Sequence, residues 1–235
     1  MLTLEDALRL NPDLNPNLFM PSPEDVLRSL DEPPVSEWLH FIAAEHTVER
    51  YYTVLLFVPC AEKKPYEPPR SALFRKLLSL ERRFQSIYMC AVSEPLSLEP
   101  REFWNFRWRG HNMIYDAPFF PWIEKYGYRW DENIAEKVWS RLASVAHSWF
   151  KRNRERFENV IAFACPDSGY RKILRHVSVD IFVPSEECPS EEETYEENVS
   201  RIYTNERLWK ALEDAIMNLE RYEFRKINAH THTPL

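Results

Sequence analysis

The sequence predicts a three-layer α/β domain on a central parallel sheet of four strands, with helical extensions at both ends. Three observations carry this. Four short apolar runs, at 53–58, 87–92, 160–164 and 177–183, are continuous rather than alternating, as in strands buried on both faces. Segments of helical period separate them, and strand–helix alternation implies right-handed crossovers with strand one central. The 235 residues, 44% hydrophobic and 14% aromatic, suffice for one large domain with a sizeable core.

Residues 1–50 read as a helical N-terminal extension packed on that core. Thr3 opens a Thr-Leu-Glu-Asp helix start, and Ser22-Pro23-Glu24-Asp25 supplies an N-cap, a first-turn proline and early acids. Asn11-Pro12 and Asn15-Pro16 mark turns, and Val35, Trp38, Ile42 and His46 then recur at helical spacing. The α/β core covers 51–184. Its first crossover helix presents Leu73, Leu77, Leu80 and Phe84 on one face; a longer one presents Ile134, Val138, Leu142, Val145 and Trp149, with His147 as a core or boundary residue. Residues 185–235 read as an acidic solvated loop, a closing helix on Leu208, Leu212, Ala215, Leu219 and Tyr222, and a C-terminal tail.

Bulk chemistry narrows the function classes. A formal net charge of −7 argues against a broad electrostatic grip on nucleic acid, though not against a local basic face. No apolar run approaches the roughly 20 residues of a membrane-spanning helix. The acidic start, Met-Leu-Thr-Leu-Glu-Asp, is unlike a secretory signal, so no membrane association and a cytoplasmic location are expected. In that compartment the sequon Asn198-Val-Ser200 would go unused. Cys60, Cys90, Cys165 and Cys188 are dispersed, which predicts reduced thiols rather than a disulfide framework or zinc site. His230-Thr-His232 has no third ligand nearby, so no metal and no cofactor are expected. Only 3 Gly beside 18 Pro and many charges fit a rigid, thermophilic protein.

Open parallel sheets bind ligands beyond the carboxyl ends of their strands. Here those ends read Pro59-Cys60-Ala61-Glu62-Lys63-Lys64-Pro65-Tyr66, then Ser93-Glu94-Pro95-Leu96, then Cys165-Pro166-Asp167-Ser168-Gly169. Cys60 reads either as a nucleophile whose thiolate Lys63 and Lys64 stabilise, or as a small buried residue at a strand end. On the first reading it is more reactive than Cys165, which Asp167 disfavours. Trp104, Trp108, Trp122 and Trp130 interleave with Arg101, Arg107, Arg109 and Arg129; such a segment either stacks bases or packs an insertion on the core.

Pro59-Cys60, then Lys64-Pro65-Tyr66 with Ser71 soon after, resembles the signature loop of the archaeosine synthase family. Residues 91–102, Ala-Val-Ser-Glu-Pro-Leu-Ser-Leu-Glu-Pro-Arg-Glu, resemble that family's strand-end segment, roughly serine, proline, leucine, glycine, leucine, valine, proline, arginine, glutamate. Tyr115-Asp116-Ala117-Pro118 resembles its tyrosine–aspartate motif. Together these cover residues 34–172 in order. The resemblance implies a uracil-DNA-glycosylase-like core and tRNA modification, in which lysine adds to the nitrile of 7-cyano-7-deazaguanine in tRNA. The partners it implies are tRNA, a tRNA-ribosyltransferase-like subunit and a radical enzyme that completes archaeosine.

Carried over by position, the catalytic residues are Cys60, Lys64 and Asp116. The base- or phosphate-binding set takes Tyr66 and Ser71 from the same loop, Ser93, Glu94 and Asp167 from the other strand ends, and Arg107 and Arg109 from the arginine–tryptophan segment. Pro69 and Ala72 stand where the family loop has serine and histidine, and Ser97 where its strand-end segment has glycine. The lost histidine removes an acid–base group, and the family's RNA-binding modules have no room here. Two rivals therefore stay open: a non-catalytic RNA- or partner-binding module with a glycosylase-like pocket, and a nucleobase or nucleotide hydrolase.

Overall fold

The structure, a computed structural model, describes residues 3–126, 129–186 and 202–230. Its strands are β1 (Tyr52–Pro59), β2 (Ile87–Ser93), β3 (Ser97–Pro100), β4 (Arg107–Trp108), β5 (His111–Asn112), β6 (Phe157–Phe163) and β7 (Ile181–Val183). Five of them form one sheet in the order β3-β2-β1-β6-β7. All four apolar runs contribute parallel strands, and β1 is central, pairing with β2 and β6. Residues 54–59 of β1 and all of β2 are buried, which is why their sequences are apolar without alternation.

The expected sheet of four parallel strands is corrected to a mostly parallel sheet of five. β3 returns antiparallel beside β2, with Ser93 opposite Ser97 and Cys90 opposite Pro100. Its Ser-Leu-Glu-Pro sequence has no apolar run, and its proline fits an edge strand. The fourth run is also shorter than expected. Only Ile181–Val183 is strand; ahead of it, Asp180 uses a side-chain oxygen to accept the Val160 N–H at 2.7 Å.

The flanking helices are α1 (Leu4–Leu10), α2 (Pro23–Ser29), α3 (Val35–His40), α4 (Ala72–Arg83), α5 (Glu132–Asn153), α6 (Gly169–Ile173) and α7 (Glu206–His230). Thr3 and Asp6 close a capping box on α1, and the Ser22 hydroxyl caps α2 with Pro23 in the first turn. Leu73, Leu77, Leu80 and Phe84 are buried, as are Val138, Leu142 and Trp149 on α5 and Leu208 and Leu212 on α7. The side chain of Tyr222, the acidic stretch 187–197, the sequon and His232 lie outside what the structure describes.

The N-terminal segment has a positioning role. Met20 donates its N–H to the Asp116 carbonyl at 2.8 Å, and Asp116 donates to Leu18 at 3.0 Å. Val35, Trp38 and Ile42 are buried, and the Trp38 indole donates to the Leu96 carbonyl at 3.0 Å. His46 is a core histidine: Trp149 donates to its Nδ1 at 2.8 Å, and its Nε2 lies 2.7 Å from Glu102, which also accepts from Tyr88. His147 is not a core residue. It is exposed, with Nδ1 at 2.8 Å from the His176 carbonyl.

Candidate functional site

The carboxyl ends of β1 and β2 and the N-terminus of α6 meet around Cys60. The Tyr170 hydroxyl lies 3.6 Å from its sulfur, and Lys64, Glu99 and Glu94 all act on it electrostatically. Lys64 is only 3% exposed. Its ammonium donates to the Ala61 carbonyl at 2.8 Å and sits 3.8 Å above the centre of the Tyr115 ring. It attracts the carboxylates of Glu99 and Asp116 and the sulfur of Cys60. The three residues read as catalytic thus share one neighbourhood, centred on a buried cation.

Burial decides the protonation states here. It pushes the Cys60 thiol up to about 11; the opposing pull of Lys64 is the smaller effect, and Glu99 and Glu94 add to the rise. The expectation of a thiolate stabilised by Lys63 and Lys64 is corrected: Cys60 rests as a neutral thiol. Burial likewise raises Asp116, against the pull of Lys64 and with the push of Glu62. Cys165 is disulfide-bonded, so the expectation that both rim cysteines are reduced fails; Cys60 and Cys90 are free. Cys188 lies outside the described residues.

Glu94 is held in place as well as buried. The Trp139 indole donates to its Oε1 at 2.7 Å. A Cβ on Gly169 would fall 2.4 Å from that oxygen and 2.7 Å from the Trp139 nitrogen, so the α6 N-terminus approaches this pair only as glycine. Burial raises the Glu94 carboxyl to about 7, with the Glu99 charge adding to the rise and the Trp139 bond and Lys172 opposing it.

Three residues of the base- or phosphate-binding set are occupied in the fold. Ser93 donates its hydroxyl to Glu99 at 2.7 Å. Ser71 caps α4, accepting the Phe74 N–H at 3.1 Å. Tyr66 is fully buried, stacked on Phe74 with ring centres 3.7 Å apart, and its oxygen accepts the Ala61 N–H at 3.3 Å.

Asp167 is exposed on the loop before α6. Arg107 is an exposed residue of the β4–β5 hairpin, whose turn places Arg109 and Gly110 at φ 47° and 83°. Arg109 is drawn off to Glu45, over the rings of Phe41 and Trp108. Trp104 and Trp108 are buried, packing the insertion on the core rather than offering faces to bases, and Trp130 rests on Phe119 and Trp139. The side chain of Trp122 lies outside the described residues. Arg107 also lines a cavity of about 10 Å³ with Trp38, Leu96, Glu99 and Trp108, about the room for one water.

Glu99, Tyr115 and Tyr170 are the members that sequence reasoning missed. Glu99 is 1% exposed and accepts from Ser93 at 2.7 Å and Tyr115 at 2.9 Å. The available signal was a carboxylate where the resembled segment has valine. Among the described residues, no group of three or more His, Cys, Asp or Glu side chains is placed to hold a metal ion, and no helix is long and apolar enough to cross a membrane. No protein-family model, curated protein or solved structure matches the chain.

Proposed function

We propose that this chain is a tRNA-modification protein related to the core of archaeosine synthase, holding a deazapurine-type base on the rim around Cys60, Lys64, Glu94 and Asp116. One observation carries the reading. Lys64, from the Cys60–Tyr66 loop, sits 3.8 Å over the ring of Tyr115, the residue before Asp116, so two separate motifs of the resemblance meet at one buried ammonium. Two further observations support it. β1 is the central strand, as the sequence reading requires of the strand that ends in Cys60, and Ser97, at the position of the motif's glycine, has φ 62°. In the catalytic form of this reading, the Cys60 thiol adds across the nitrile and its proton passes to the nitrile nitrogen. The amine of free lysine then displaces the thiol and leaves an amidine.

Ala72, where the family loop has its histidine, favours a second reading, in which the rim binds a base in RNA without transforming it. Incubation with labelled lysine and tRNA carrying 7-cyano-7-deazaguanine separates the two. Label entering the tRNA, and lost in Cys60→Ala, supports catalysis. Salt-dependent tRNA binding without label supports the binding module, with a shallower salt slope in Arg107→Ala. Neither binding nor label at low salt refutes both.

A further inference from the structure

At the end of the sheet opposite the rim, where the parallel strands begin, two segments gather positive charge. Tyr52 pairs with Phe157, so Arg50 and Tyr51 lead into β1 directly beside the residues that lead into β6. Lys151 and Arg152 stand in the last turn of α5, and Arg154 and Arg156 in the turn that joins it to β6. The buried Asn153 side chain ties the two segments together, accepting the Val48 N–H at 2.8 Å and donating to the His46 carbonyl at 3.3 Å. These cations therefore stand on fixed backbone.

Residues 47–52 and 150–158 carry five cations and three acids, a local +2, which leaves −9 for the rest of a chain at −7. Among the described residues none of the five is paired with a carboxylate, whereas Arg28, Arg70, Arg101 and Arg141 all are. The α5 dipole accounts for Lys151 and Arg152, and Arg154 is spent on the Phe157 and Glu158 carbonyls. Neither reason covers Arg50 and Arg156, which are exposed outside any α-helix. Arg50 donates to the Tyr52 hydroxyl and Arg152 to the Ala43 carbonyl, so each guanidinium keeps donors to spare. Tyr51 lies among them, 58% exposed, with its hydroxyl donating to Glu158 at 3.4 Å.

We infer that this end of the sheet docks a single-stranded stretch of RNA, with Arg50, Lys151, Arg152 and Arg156 on its phosphates and a base stacked on Tyr51. Arginine forks match phosphate oxygens, and an exposed aromatic ring among cations is the pairing that holds unpaired bases. The surface is separate from the rim. The eight residues of β1 lie between the two, about 25 Å at ~3.3 Å per residue.

Fluorescence anisotropy of the whole chain with a labelled oligouridylate of about 12 nucleotides tests this over a salt series. The wild type binds, and its affinity falls as salt rises. Arg156→Gln makes the slope of log affinity against log salt shallower by roughly 0.7, the share of one phosphate on a single strand. Tyr51→Ser costs about tenfold in affinity with the slope unchanged. Lys137→Gln, which removes an exposed cation at the far end of α5, alters neither. No binding at low salt overturns the inference, as does an effect of Lys137→Gln equal to that of Arg156→Gln, which would mean bulk charge alone. Polyglutamate that binds as tightly as the RNA also overturns it and assigns the surface to an acidic protein.

Discussion

Replacing Glu94 by Gln removes a carboxyl from a place where burial raises its pKa, and leaves an amide oxygen to accept from Trp139. The carboxyl titrates near 4.5 when unfolded and at about 7 in the fold. Between those values the folded chain keeps a proton that the unfolded chain releases. Stability therefore falls as pH rises through this window, and the full loss is reached above about 7. At ~1.4 kcal/mol per pH unit, the gap corresponds to about 3 kcal/mol. Urea denaturation of wild type and Glu94→Gln from pH 4.5 to 9 isolates this contribution, because the other titrating groups are common to both proteins. The variant gains on wild type as pH rises, by about 3 kcal/mol between pH 4.5 and 8. Parallel stability profiles would refute the reasoning, since they would mean that Glu94 is solvated or ionised throughout.

The same cluster yields two further expectations. Gly169→Ala drives a methyl onto the Glu94–Trp139 hydrogen bond and destabilises by about 2 kcal/mol in denaturant melts; wild-type stability would show that the pair can move aside. Iodoacetamide labelling of native Cys60 accelerates with pH and reaches no plateau below about pH 10. A plateau below pH 8 would restore the lysine-activated thiolate.

Much of the scaffold was legible in the chain, because its signals are local. A strand buried on both faces must be apolar along its length, so β1, β2 and β6 stood out as continuous runs. α4 and α5 declared themselves by period, and Thr3 and Ser22 by the cap that each supplies to its own helix. The placement of Cys60 and Lys64 at the end of the central strand follows from the same patterns, together with the rule that parallel sheets bind at their carboxyl ends.

The polar part of the site was not legible, because its chemistry is decided by neighbours remote in sequence. Nothing in Ser97-Leu98-Glu99-Pro100 announces a strand; β3 exists because β2 offers it an edge and α5 offers Ser97 the Leu142 carbonyl. Tyr66 looked like a residue for holding a ligand and is core, because Phe74 awaits its ring; of the two readings of Trp104, the packing one holds, with its indole donating to the Glu99 carbonyl. Lysines next to a thiol in sequence suggested a lowered pKa, yet desolvation by the assembled rim outweighs Lys64 and leaves the thiol neutral. Period and adjacency are properties of the chain, so the buried parallel strands, the long amphipathic helices and the loop shared by Cys60 and Lys64 could be read from it directly. Which polar groups end up buried, as Lys64, Glu94 and Glu99 do, and which partners they find there, came from the folded arrangement. Burial and partnership are set by the packing of distant segments, and no local pattern encodes them.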